Sequence, residues 1–396
     1  MKTRTVQLGA VCEFIRGVTF DKADATTRPE VGKTPVLRAG NIGEELDAQD
    51  DLIWVPDAKI SDEQRLRQND IAICMSSGSP EVVGKTARVP CNLRASIGSF
   101  CGIIRPKSPD EASYLSFFFR SAAFRKHRNA IARGANIQNL RFSQFEEIEL
   151  EIPSEQRQIA ERLEQADRLY RTHRYALEFI DTFLPAAFRE FFGDARANTK
   201  QWDSVTLGEV VTRGPQNGLY KPASAYGEGT PILRIDSFYD GAVTELDSLK
   251  RVRLLPDDIE CFGLSENDIV VNRVNSRPYL GKSALIPKLT EPTVFESNMM
   301  RLTLNTNSAT PVYVTHYLQT SFVKSQIQVL AKDAVNQSSI NQEDVKGLIV
   351  RLPPLQLQQK FATLVERVEF LRAVQREALR QAEHLFASLL HRAFAD

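Results

Sequence analysis

The sequence predicts an α+β protein: two strand-rich domains related by tandem duplication and joined by two long antiparallel coiled-coil helices. Three observations carry that expectation. Short segments recur in the same order about 200 residues apart, each copy contains short β-branched runs punctuated by Gly, Pro and Asn, and each ends in a long heptad-spaced stretch.

The recurrences span nearly the whole chain. Val6-Gln7-Leu8-Gly9 returns as Val205-Thr206-Leu207-Gly208, and Thr34-Pro35-Val36-Leu37-Arg38 as Thr230-Pro231-Ile232-Leu233-Arg234. Asn69-Asp70-Ile71 returns as Asn267-Asp268-Ile269, Gly84-Lys85-Thr86 as Gly281-Lys282-Ser283, and Asn136 as Asn336. A period this long exceeds any solenoid unit and fits a domain plus a helix. The predicted organisation is a first domain over 1–152, a helix over 153–194, a second domain over 195–352 and a helix over 353–396. Within the domains, helical stretches are expected near 114–133 and 312–332.

After Pro153 apolar residues recur at alternating steps of four and three: Ile159, Leu163, Ala166, Tyr170, His173, Leu177, Ile180, Leu184, Ala187 and Phe191. The second copy gives Phe361, Val365, Val368, Arg372, Gln375, Leu379, Ala382, Phe386, Leu389 and Ala393. Charge on the other faces points to a partner helix as the burial site. Ile159, Leu163, Ala166, Leu177, Ile180 and Leu184 are therefore expected to pair with Phe361, Val365, Val368, Leu379, Phe386 and Leu389. His173 and Gln375 mark a matched polar point, either a register-fixing layer or two side chains tilted to solvent. Pro185 should bend the first helix.

At 396 residues, 42% hydrophobic, the chain can bury two ordinary cores. Charges interrupt every long apolar run, so no membrane association and a cytoplasmic location are expected. Cys12, Cys74, Cys91, Cys101 and Cys261 include no C-x-x-C pair and read as buried free thiols. The five histidines lack metal-ligand spacing. Fifty basic and fifty acidic residues balance, which a generic nucleic-acid coat protein would not show. Their distribution is less even. No acid lies between Glu111 and Glu146, where Arg120, Arg125, Lys126, Arg128, Arg133 and Arg141 fall; none lies between Glu296 and Asp333, where Arg301, Lys324 and Lys332 fall.

The run Ser79-Pro80-Glu81-Val82-Val83-Gly84-Lys85-Thr86 imitates a phosphate loop, but it lacks the first glycine and leads into a strand-like stretch rather than a helix. A glycine turn presenting a lysine is the better reading. No G-x-S-x-G, no Asn-Pro-Pro-aromatic run and no other reactive cluster is present, which leaves recognition and assembly.

Taken together, the V-x-L-G openings, the Asn-Asp-Ile strands, the Gly-Lys turns and the helix starts at Ile152-Pro153-Ser154-Glu155-Gln156 and Leu352-Pro353-Pro354 resemble the specificity subunit of type I restriction-modification systems. The resemblance implies two target-recognition domains, each reading one half of a split, asymmetric site on double-stranded DNA. It also implies that the helices set the spacing and dock two methyltransferase subunits, with motor/endonuclease subunits completing the complex. This chain would then hold no cofactor; S-adenosylmethionine, ATP and Mg would belong to partners. Ser154, where a second proline is common, and Pro185 depart from the family pattern.

Base readout calls for Arg, Asn, Gln, Ser and Thr, and phosphate contact for Lys and Arg. The candidates are Arg38, Asn41, Ser76, Ser77, Ser79, Lys85, Arg133, Asn136, Gln138 and Asn139 in the first copy. In the second they are Arg234, Arg273, Asn275, Arg277, Lys282, Asn336, Gln337 and Ser338. Shared residues, such as Arg38 and Arg234, suit phosphate contact or an internal ion pair; differing ones suit sequence reading. A non-catalytic protein-protein scaffold with duplicated binding domains is the competing reading, and an autonomous methyltransferase or nuclease a further one.

Overall fold

The computed structural model describes residues 3–79, 81–133, 140–244, 246–335 and 337–395, with the side chains of 131–133 outside the description. The chain forms two compact units: residues 1–174 with 377–396, and residues 175–376. The boundaries between the units fall inside the two long helices.

In the first unit, strand Thr3–Gln7 pairs antiparallel with Glu149–Pro153 and so joins the two ends of the domain where the long helix begins. A four-stranded sheet runs in the order Cys12–Arg16, Cys101–Pro106, Ile71–Cys74 and Thr86–Arg88. Beside it, Lys33–Leu37 pairs antiparallel with Ile53–Pro56 and parallel with Ser96–Ile97. The second unit repeats this plan. Asp203–Thr206 closes against Ile349–Leu352, and Val211–Asn217, Met299–Leu304, Ile269–Asn272 and Ser283–Leu285 match the four-stranded sheet. It adds Gly241–Val243 and Phe238–Tyr239 at one edge, and a separate sheet of Val274–Asn275, Gln337–Ser339 and Lys332–Ala334.

The recurring motifs have local physical reasons. Asn69 and Asn267 both turn in the left-handed region, at φ 73° and 72°, a conformation that Asn tolerates better than most side chains. The following aspartates are buried and tie down the turn: Asp70 accepts from the Arg67 amide at 2.7 Å and Asp268 from the Ser265 amide at 2.8 Å. Asp70 then holds Arg105 through two bonds of 2.8 Å, whereas Asp268 accepts from Thr303 at 2.6 Å. At Gly9 and Gly208 an added Cβ would lie 3.2 Å from Glu146 and Lys346 Cβ respectively, so both openings run close under a following helix.

Each expected helical stretch is two helices. Pro109–Phe118 and Ala122–Arg133 in the first unit correspond to Pro311–Leu318 and Ser321–Leu330 in the second. Ser121 and Thr320 accept from the amides of Phe124 and Val323, and these hydroxyls start the second helix of each pair.

The long helices are Gln156–Phe192 and Leu355–Phe394, and the first runs unbroken through Pro185, which is exposed. Within each unit they lie antiparallel. Leu163, early in one helix, shares a cluster with Leu390, late in the other, in the first unit. Leu184, Phe188 and Phe192, late in the first helix, meet Phe361 and Val365, early in the second, in the other unit. The predicted pairing positions are mostly inside: Leu163, Ala166, Leu184, Phe361, Val365 and Val368 are buried, and Ile159, Leu177, Ile180, Leu379, Phe386 and Leu389 are half-buried.

The helix ends are also domain core, which the seam pattern understated. Phe192 lies 4.7 Å from Tyr313 and 5.3 Å from Phe361, ring to ring, in the second unit. Phe394 lies 4.9 Å from Tyr114, and Phe386 6.1 Å from Phe117, in the first. Of the cysteines, Cys12, Cys74 and Cys101 are buried, but Cys91 and Cys261 are exposed, contrary to the expectation of five buried thiols.

Two outcomes test this packing. Phe188→Ala should cost about 3–5 kcal/mol of unfolding free energy, because the cavity sits among rings fixed by two helices and a domain; denaturant titration reads it. His316, packed 5.2 Å from the Phe361 ring, is held neutral, its pKa pushed down to about 4 by burial and by Arg372. The unfolded chain therefore binds a proton first as pH falls, and stability is lost between pH ~6.5 and pH 4. His316→Phe should show a smaller fall in thermal midpoint across that window.

Candidate nucleic-acid interface

In both units the same backbone bonds position the segments that follow the sheet strands, where Arg38, Ser76, Ser77 and Ser79 lie in one copy and Arg234, Arg273, Asn275 and Arg277 in the other. In the first unit, the amides of Met75 and Ser76 donate to Phe100 O at 2.9 and 3.0 Å, and Gly98 donates to Leu37 O at 2.8 Å. In the second, the amides of Arg273 and Val274 donate to Asn298 O at 2.9 and 3.2 Å, and Glu296 donates to Leu233 O at 3.0 Å. Leu140 and Ile340 close the loops by donating to Met75 O and Arg273 O. One scaffold therefore presents two different sets of side chains.

The Gly-Lys turns follow the same rule. Gly84 and Gly281 take φ 78° and 76°, and each is followed by a strand, so neither is a phosphate loop. Behind each glycine a helix approaches closely. An added Cβ would lie 2.2 Å from Arg128 Cδ in the first unit and 2.2 Å from Ile327 Cδ1 in the second.

In the first unit, Lys85, Gly78 and Ser79 are exposed, and Ser76 and Ser77 are half-buried. Ser79 N donates to Ser77 Oγ at 3.2 Å. Arg128, against Gly84, places the helix Ala122–Arg133 beside this loop, and Arg125, Lys126 and Asn129 on that helix face solvent. Burial and the neighbouring Arg125 lower the Arg128 pKa from the usual arginine range. Spacing does not single out these four residues, although all of them fall within the acid-free stretch between Glu111 and Glu146. Arg133 ends the helix, and its side chain lies outside the described residues, as do Asn136, Gln138, Asn139 and Asn336.

Several candidates are used within the fold. Asn41 is 3% exposed; its Oδ1 accepts from the Arg38 amide at 2.8 Å and its Nδ2 donates to Asp50 O at 2.8 Å. Its counterpart Ser237 accepts from the Arg234 amide at 3.1 Å. Arg38 forms a solvent-exposed ion pair with Asp51, whereas Arg234 lies 3.7 Å from the buried Glu296, so the internal ion-pair reading fits the second copy. Ser338 is buried and donates to Asp333 at 2.6 Å. Arg301, counted in the second acid-free run, is fully buried and donates to Gly263 O at 2.5 Å, so it adds no surface charge.

In the second unit the hairpin Lys332–Ala334 with Gln337–Ser339 brings Asn275, Arg277 and Gln337 together. Asn275, half-buried, pairs in a strand with Ser338. Arg273 donates to Ser297 O at 3.1 Å. Arg277, exposed, donates to Gln328 at 2.8 Å and forms an ion pair with Asp333, which ties its loop to the hairpin that carries exposed Gln337. Lys282, unlike Lys85, points inward. Its Nζ donates to Ile235 O at 2.6 Å and sits 3.9 Å from the Tyr239 ring centroid. Burial lowers its pKa from the usual lysine range, and Asp236 and Asp240 act against that shift.

Among the described residues no group of three or more His, Cys, Asp and Glu side chains could hold a metal ion, and no helix is long and apolar enough to cross a membrane. Fold and loops together define a class: a tandemly duplicated protein whose copies share a scaffold and differ in their exposed loops. The profile of the type I restriction modification DNA specificity domain matches residues 2–178 and again residues 199–380, and the chain belongs to that family. It is 31% identical over 411 aligned residues to the type I restriction enzyme StySPI specificity subunit of Salmonella potsdam, covering 98% of this chain and 88% of that one. It is 28% identical to the EcoKI specificity subunit of Escherichia coli K12, covering 98% and 87%. Among solved structures, the S subunit of a type I restriction-modification system from M. genitalium shares the fold at TM-score 0.59 and 16% identity, covering 100% and 96% of the two chains.

The two glycine turns give a direct comparison. Both Gly84→Ala and Gly281→Ala strain a left-handed turn, but the displaced atom is on a flexible arginine in one and on buried Ile327 in the other. Gly281→Ala should lower the thermal midpoint more than Gly84→Ala; equal losses would mean that the helix contact behind the turn is immaterial.

Proposed function

We propose that this chain is the DNA-reading subunit of a type I restriction-modification complex, in which each unit reads one half of a bipartite, asymmetric target. The observation that carries the proposal is the repeated hydrogen-bonded scaffold with unlike loops: equivalent backbone positions present Ser77 and Val82 in one copy and Asn275 and Tyr279 in the other. Repeated geometry gives both copies the same approach to a duplex, and unlike side chains give them different bases to read.

The two helices, of 37 and 40 residues, are about 56 and 60 Å long at 1.5 Å per residue, enough to separate two readers by more than one DNA turn of about 34 Å. Their outward faces support docking of methyltransferase subunits: in the second unit Phe179, Phe370, Leu371 and Val374 are exposed at 67%, 69%, 51% and 47%, apolar surface that a partner protein would cover. Methylation with S-adenosylmethionine, and ATP- and Mg-dependent cleavage by motor/endonuclease subunits, then belong to those partners. This chain contributes recognition and no catalytic group.

The assembled complex, offered a randomised duplex pool, should select two unlike half-sites at a fixed separation, with affinity falling steeply as salt rises. Salt-insensitive binding with no sequence preference would replace this reading with that of a protein scaffold. Within the same assay, Lys85→Ala should weaken binding evenly across sequences and reduce the salt slope by about 1, whereas Arg277→Ala should relax one half-site only. Removing seven residues from each helix should change the selected separation; an unchanged separation would mean that the helices do not set it.

A further inference from the structure

Lys282 and its surroundings separate the second reader from the first. The ammonium is directed at the Ile235 carbonyl, 2.6 Å away, and three rings surround it: Tyr239 at 3.9 Å, Phe238 at 4.7 Å and Tyr279 at 5.9 Å from ring centroid to Nζ. Phe238 is fully buried, but Tyr239 and Tyr279 are 46% and 52% exposed. A cation held among rings in this way fixes their positions while remaining turned away from solvent.

We propose that Tyr239 and Tyr279 are base-reading side chains of the second unit, held in place by Lys282, and that they touch base edges in the groove rather than phosphates. This rests on the DNA-reading function proposed above.

The two copies make the argument. Arg38 to Asn41 and Arg234 to Ser237 carry the same backbone-to-side-chain bond, which sets Gly43 opposite Tyr239 in the comparison. The amides of Lys85 and Lys282 donate to Val82 O and Tyr279 O at 3.1 and 3.2 Å, which sets Val82 opposite Tyr279. Scaffold, glycine and lysine are therefore repeated, and both aromatic rings are new in the second copy. In a protein whose copies read different half-sites, recognition must reside in what differs.

Charge decides between base and phosphate. Asp236 and Asp240 flank Lys282 and are both exposed, so this patch has no surplus positive charge to offer a phosphate. Tyrosine offers an apolar ring to a thymine methyl and a hydroxyl that both donates and accepts, and an aspartate can accept from the cytosine amino group. The patch also connects to the hairpin already described, because Tyr279 belongs to the short helical turn Arg277–Tyr279 whose arginine is tied to the hairpin at Asp333.

The test is selection from a randomised duplex pool by the full-length chain assembled with its methyltransferase subunits, comparing wild type with Tyr239→Ala, Tyr279→Ala, both Tyr→Phe variants and Lys282→Met. Each alanine variant should lose about tenfold or more of the discrimination at one or more base pairs of one half-site, with the other half-site and the salt slope unchanged. The Phe variants, which keep the rings and the fold, should retain any preference for thymine at those positions. Lys282→Met should relax the same base pairs without reducing the salt slope. Unaltered preference in the alanine variants overturns the proposal, as does a uniform loss of affinity with the slope reduced by about 1, the signature of a phosphate contact. A wild-type complex that selects no sequence would remove the DNA-reading function and this inference together, an outcome distinct from a specific wild type with indifferent variants.

Discussion

Burial of the far end of each long helix, in the domain other than the one that helix follows, is the constraint on which the remaining structure depends. Phe188 stacks on Tyr313 while Phe192 meets Tyr313 and Phe361 edge-on in one unit, and Phe386 and Phe394 reach Phe117 and Tyr114 in the other. Each cluster uses the end of one helix, the beginning of the other and a helix of the domain. The rings cannot be shielded by any one of those elements alone, so domain orientation and helix pairing within a unit form together. This also explains why the first unit includes residues 377–396, nearly the whole sequence away from its first strand. Burial of several large rings in each cluster, at roughly 1.5–3 kcal/mol per side chain, far exceeds what surface ion pairs along the helices could contribute.

Duplication and the long helices were legible in the sequence because both are periodic. The Asn-Asp-Ile, Gly-Lys and V-x-L-G motifs recur for reasons the structure makes explicit: a left-handed Asn, a glycine under a helix, and a glycine against Glu146 or Lys346. Less legible was what interrupts a period. The hydroxyl caps at Ser121 and Thr320 split each expected helical stretch in two, and Phe188, Leu390 and Phe394 leave the heptad seam to enter a domain core.

Side-chain direction at the candidate interface could not be read from spacing. Asn41 and Ser338 are of suitable type for base contact, yet both are engaged by backbone or carboxylate groups inside the fold. Lys85 and Lys282 align in sequence and diverge in space, because the second copy has rings and a carbonyl to receive the ammonium where the first leaves it exposed. Of the helix Ala122–Arg133 spacing singles out Arg133 alone, and only the approach of Arg128 to Gly84 places Arg125, Lys126 and Asn129 beside the loop. The copies are thus similar where backbone must be held and dissimilar where side chains face outward. Only the first property leaves a repeat in the sequence.

The central claim is that this repeated scaffold serves as two unlike readers of one split DNA site. The most direct measurement is genome-wide methylation mapping of a strain in which this chain is the only specificity subunit. The account predicts one asymmetric motif of two different half-sites separated by a fixed run of unread bases. A continuous motif, a palindrome with identical halves, or an unmethylated genome beside active methyltransferase subunits would contradict it.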